Sequence, residues 1–137
     1  MRAEKLIEYL YDIIDEIITS EDYLINVNFL DNEINSYSLD KIPTASTQER
    51  FITGQKIKQD TYILRSRFRY TSDQAEQLKN NGFFEAFEDI VERKNDEKNL
   101  PDINGIQSIE CLNCGSVQST TETTCEMDIQ IRITYME

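Results

Sequence analysis

The sequence predicts an α+β fold: a mixed, mainly antiparallel sheet of four or more strands, with an N-terminal helix and a central helical segment packed on one face. Three observations predict it. AEKLIEYLYDIIDEII, residues 3–18, repeats apolar residues at three- and four-residue spacing, as a helix stripe does. IKQDTYILRSRFRY, residues 57–70, and CEMDIQIRITY, residues 125–135, alternate with a period of two, as half-buried strands do. Between them lies a second helical pattern. The expected order is α-β-β-β-β-α-β-β, in a single domain over residues 1–137.

Leu6, Ile7, Leu10, Ile13, Ile14, Ile17 and Ile18 form the stripe of the first helix, and Glu4, Lys5, Glu8, Asp12, Asp15 and Glu16 lie mostly away from it. The stripe reads as a core face, with a groove for a partner helix as the alternative. Residues 19–22, Thr-Ser-Glu-Asp, favour a turn. Residues 23–30 and 34–42 alternate and read as a hairpin around Asp31-Asn32-Glu33, although this loop lacks a sharp signal such as Asn-Gly. Residues 43–48 read as loop, 49–53 as a strand, and Gly54 as a turn or bulge.

In the next strand, Tyr62, Leu64, Phe68 and Tyr70, with Ser66 among them, share one face fit to cover a helix. Ile57, Thr61, Ile63, Arg65, Arg67 and Arg69 share the other. Thr71-Ser72-Asp73 offers capping side chains for the following helix, with Glu76 three residues after Asp73. Asn80-Asn81-Gly82 predicts a break, dividing that helix into 73–80 and 83–94, because glycine costs a helix interior about 1 kcal/mol relative to alanine. A strand is expected over 106–114, then a Ser/Thr-rich loop over 115–124 too long for a tight turn, then the closing strand. The loops 43–49 and 115–124 are candidates for contacts that order on assembly.

Composition narrows the function. The net charge is −12, from 26 acidic and 14 basic residues, and such a field repels nucleic-acid phosphates. Sequence-specific DNA binding is not expected. Histidine is absent, which removes the commonest general base and metal ligand. No signal peptide or membrane span is expected, since no apolar run approaches ~20 residues. Three cysteines, an odd count, suit a reducing compartment, and a cytoplasmic origin is expected.

Cys111-Leu-Asn-Cys114 is a lone CxxC; with only Cys125 besides, a zinc site within one chain would need a carboxylate or a second subunit. Cys111 and Cys125 read better as small buried residues on neighbouring strands. Asp12, Asp15 and Glu16 read as solvated surface rather than a catalytic carboxylate set. No nucleophile elbow, phosphate-binding loop, EF-hand or zinc-protease helix is present, so neither an enzyme nor a cofactor is expected. The row Arg65, Arg67 and Arg69 is the most informative polar feature. Its partners are either acids on the same sheet face or a neighbouring subunit or partner protein, with phosphate a poor third.

The phrases KLIEYLYDIIDEI, YSLDKIPT, GFFEAFEDIVERKNDEKNLPDI and DIQIRITYME, with the predicted hairpin, carry a resemblance across nearly the whole chain. It resembles a family of small proteins from the structural cassettes of phages and prophages of Gram-positive bacteria, often labelled minor capsid proteins or tail terminators. The resemblance implies an α+β structural protein that caps the head-proximal end of a tail tube as a ring, expected to be hexameric. Such a ring ends tube polymerisation and offers the head-joining surface. It implies the tail tube protein as partner, with sheath or head-connector proteins as further candidates. It also implies residence in a virion tail or a headless tail-like bacteriocin, assembled in the host cytoplasm. The family carries no invariant functional residue onto a numbered position here. A head–tail connector or minor capsid component of similar fold, and an acidic adaptor that binds a basic protein, are the rival readings.

Overall fold

The computed structural model describes residues 2–17, 24–27, 36–42, 47–50, 52–69, 74–112, 116–120 and 124–136. The chain runs α1 (Arg2–Ile17), β1 (Leu24–Val27), β2 (Ser36–Ile42), β3 (Thr47–Arg50), β4 (Lys56–Arg69), α2 (Gln74–Asp96), β5 (Ile106–Cys111), β6 (Ser116–Thr120) and β7 (Thr124–Met136). The α+β class holds, and so does the expected element order, with one strand, β6, added before the last. β4 and β7, the two strongest alternating stretches, pair antiparallel through thirteen register positions, from Ile57 opposite Met136 to Arg69 opposite Thr124. The outer edge of β4 carries β2 opposite 61–67 and β3 opposite 56–58. The outer edge of β7 carries β5 opposite 131–135 and β6 opposite 125–128. β1 lies beyond β2 and completes the seven strands.

Three local expectations give way. β1 and β2 are parallel, Leu24 opposite Ser36, and do not form a hairpin. Alternation fixes which face a side chain takes but not the direction of the strand, and the Asp31–Glu33 stretch lies outside the described residues. The polar stretch 115–124 contains β6, which continues the edge begun by β5; likewise β3, Thr47–Arg50, begins within the expected loop, ahead of the strand expected over 49–53. Serines and threonines pair readily at an edge whose outer face is wet. Finally, α2 passes unbroken through Gly82. The helical cost of one glycine is outweighed by burial of Phe83, Phe84 and Phe87 just beyond it, each worth about 1.5–3 kcal/mol.

Both helices cover one face of the sheet. α1 buries Leu6, Tyr9, Leu10, Ile13 and Ile14, with Ile7 and Ile17 packed at the margin; Ile18 lies outside the described residues. α2 contributes Phe83, Phe84, Phe87 and Val91. They meet Tyr37 and Leu39 of β2, Tyr62 and Leu64 of β4, Ile109 of β5, and every second residue of β7 from Cys125 to Tyr135. Phe83 stacks on Tyr37 at 5.8 Å between ring centres and meets Phe84 edge-on at 5.2 Å, the offsets that aromatic quadrupoles favour.

Each helix also ties down a sheet edge. The Ile25 N–H of β1 donates to the Tyr11 hydroxyl at 2.9 Å, and the Ile109 N–H of β5 donates to Asn95 Oδ1 at 3.0 Å. These contacts occupy edge donors that would otherwise recruit a foreign strand.

Two glycines make opposite demands. Gly105 turns the chain into β5 at φ +75°, and its carbonyl accepts from the Met136 N–H at 2.8 Å. A Cβ there would be driven into the Met136 carbonyl oxygen, whereas a Cβ on Gly82 would meet nothing within 4 Å. Gly105→Ala is therefore expected to lower stability by at least ~1–3 kcal/mol, and Gly82→Ala to raise it by about 1 kcal/mol. Urea unfolding of the two variants checks both signs; a destabilised Gly82→Ala would mean that α2 does break there.

Candidate interface on the open face of the sheet

The face of the sheet away from the helices is polar. Pairing of β2 with β4 and of β4 with β7 sets Ser38, Arg65 and Asp128 side by side across three strands. The diagonal neighbours Asp40 and Glu126 flank Arg65 on its two sides. Arg65 Nε lies 2.6 Å from Asp40 Oδ2, and its Nη1 donates to Glu126 Oε1 at 3.3 Å. Ser38 is wholly buried beneath this group and donates its hydroxyl to Asp40 Oδ1 at 2.7 Å. Arg65, Asp40 and Glu126 are each only a fifth to about a quarter exposed, so their attraction is less screened than that of a surface pair.

Farther along the same face, Arg132 on β7 clasps Glu110 on β5, with Nε and Nη2 donating to Oε1 at 2.8 and 2.5 Å. Gln59 donates to Thr134 Oγ1 at 3.3 Å between in-register positions of β4 and β7. Ile57 and Ile63 share this open face with half-buried side chains.

The three arginines of the row therefore differ. Arg65 is held by two acids of its own chain. Arg67 stands in register with Glu126 and also has contacts within the chain. Arg69 is in register with Thr124, and its side chain lies outside the described residues. The sequence pointed to the row but missed Asp40 and Ser38. Both belong to the predicted strand 34–42, yet that strand's place beside β4, with β3 between them in the chain, carries no local signal.

Other candidates disperse. Cys125 is buried on the helix-covered face, Cys111 is partly buried on β5, neither is in a disulfide, and Cys114 lies outside the described residues. Among the described residues, no grouping of cysteine and carboxylate side chains is arranged to hold a metal ion. Among the described residues, no helix is long and apolar enough to cross a membrane. Asp12, Asp15 and Glu16 are exposed, and Glu16 bridges to Arg93 of α2 at 3.1 Å. A buried carboxylate went unforeseen: Asp60, on the helix-covered face, accepts from the Tyr135 hydroxyl at 3.2 Å and lies 3.8 Å from Lys41 Nζ. Its partners make it a structural anchor between β2, β4 and β7.

Compared with known proteins, the chain matches no protein-family model and no curated sequence.

The clearest pH response on the molecule comes from α1. The Tyr9 hydroxyl donates to the Asn99 carbonyl at 2.9 Å. Burial, aided by the nearby Cys111 thiol, pushes its pKa up to about 12 from the ordinary 10.0. The native state thus keeps this proton where the unfolded chain releases it. The corresponding stability is complete below about pH 10 and lost between about 10 and 12. The stability gap between the wild type and Tyr9→Phe should therefore hold constant from pH 7 to 9 and shift against the wild type at pH 11.5. Paired urea titrations at these pH values check it; a gap independent of pH would contradict the buried placement of this hydroxyl.

Proposed function

We propose that this chain is a structural subunit of a phage tail, or of a headless tail-like particle, that caps the head-proximal end of the tail tube as a ring. In this role it ends polymerisation and offers the surface to which a head or connector joins. The reading starts from the resemblance carried by residues 5–17, 37–44, 82–103 and 128–137. The observation that supports it best is the open sheet face. Its side chains are cross-braced by Arg65–Asp40, Arg65–Glu126 and Arg132–Glu110, which makes a firm surface suited to docking against large partners. On this reading the chain acts by assembly and not by catalysis. Arg67 and Arg69 are contact candidates toward acids of the next subunit, joined by Arg65 if its own acids exchange partners.

The net charge of −12 also suits a conduit wall, because DNA passing through does not adhere to a negative surface. A lumen found to be basic in an assembled ring would remove that element of the proposal.

Electron microscopy of tail particles from cells lacking this gene tests the reading. Overlong tubes of variable length are expected. Tubes of normal length that fail only to join heads would move the chain to the connector, and wholly normal particles would overturn the tail assignment in favour of an adaptor.

A further inference from the structure

The charges of this protein are unevenly placed. Residues 47–58, the β3–β4 hairpin, carry three basic side chains and one acidic, a net of +2 within a chain of −12, which leaves −14 for the rest. The hairpin tip is exposed. Ile52 stands wholly exposed at 107%, and Thr53, Gly54 and Gln55 beside it are exposed too. Just behind the tip, Arg50 and Lys56 are direct cross-strand partners, and Lys58 pairs with Thr47. Like charges directly opposite one another destabilise a strand pair. Such a like-charge pair is unfavourable in a free hairpin and favourable against an acidic partner.

The helical layer has the complementary character. Glu4, Glu8, Asp12 and Asp15 are exposed along α1, at the three- and four-residue spacing that sets them in one line. Glu85, Asp89, Glu92 and Asp96 are exposed along α2 at the same spacing. The helices cover one face of the sheet, whereas the hairpin extends from the end of β4.

We propose that the β3–β4 hairpin of one copy docks on the acidic helical layer of a second copy. The two surfaces differ, so the contact is heterologous: each copy offers a hairpin and receives one, and the chain of contacts closes into a ring or runs on as a filament. This deepens the ring reading and rests on it for its biological setting, but the contact itself is a property of the purified chain.

Analytical ultracentrifugation of the full chain at low and high salt tests it. Wild type should associate with rising concentration, and less so at high salt, where the charges are screened. Ile52→Asp should weaken association at least about tenfold. Arg50→Glu with Lys56→Glu should abolish it, as should Asp12→Lys with Asp89→Lys, each with an unchanged circular dichroism spectrum. Mixing those two double variants should restore association, because the reversed hairpin then meets a reversed helical layer. A wild type that stays monomeric at both salts would overturn the docking, as would association indifferent to the hairpin and helix variants, or a mixture that stays apart. The tail-length experiment reports separately. Salt-sensitive association in a protein whose deletion leaves tails normal would sink the tail assignment and spare the docking. Overlong tails in the deletion, restored to normal length by the hairpin variants, would do the reverse.

Discussion

The antiparallel pairing of β4 with β7 is the constraint on which the rest of the structure depends. These two strands lie far apart in the chain, yet thirteen consecutive positions are in register. A slip of β4 by one residue against β7 would turn Tyr62 and Leu64 from the core to water and bring Ile63 and Arg65 beneath the helices, so burial enforces the register. Every other strand is added to this pair. β2 and β3 divide the free edge of β4, and β5 and β6 divide that of β7. The helices then close one face and, through Tyr11 and Asn95, reach around to the edge strands β1 and β5.

The same pairing separates the molecule into chemically distinct surfaces. Because side chains alternate along β4, the strand that supplies Tyr62 and Leu64 to the core also supplies Arg65 and Arg67 to the open face. Arg65 needs acids on both neighbouring strands, and the register delivers Asp40 from β2 and Glu126 from β7. The exposed acids of α1 and α2 are left on the opposite side, with no equivalent concentration of basic residues among them. An acidic chain thereby carries a locally basic hairpin.

The amphipathic stripe of α1, the alternation of β4 and β7, and the aromatic run of α2 were legible because each repeats with one clear period. Those three signals suffice for the fold class and for the helix-covered face. Tyr9 escaped because a tyrosine at the edge of a leucine and isoleucine stripe reads as boundary, while the structure buries its ring and satisfies its hydroxyl on Asn99. The direction of β1 and the strand character of 116–120 escaped for a related reason: both are settled by pairing with distant residues, and neither leaves a local period. The arginine row was visible, but its answer in Asp40 depends on which strand lies beside β4. Asp60 was hidden because an aspartate within an alternating strand suggests a wet face, whereas the Tyr135 hydroxyl and Lys41 help make its burial tolerable.

One long strand pair organises the fold, and the proposed contact between copies joins the hairpin to the helical layer. Amide hydrogen exchange on the dilute and the concentrated chain at low salt tests both most directly. The account predicts that amides of Tyr62–Ser66 and Met127–Ile131 exchange slowest in both states, and that concentration newly protects the β3–β4 turn and side-specific positions of α1 and α2. Slow exchange centred elsewhere than β4 and β7, or new protection confined to regions away from the hairpin and the helices, would contradict it.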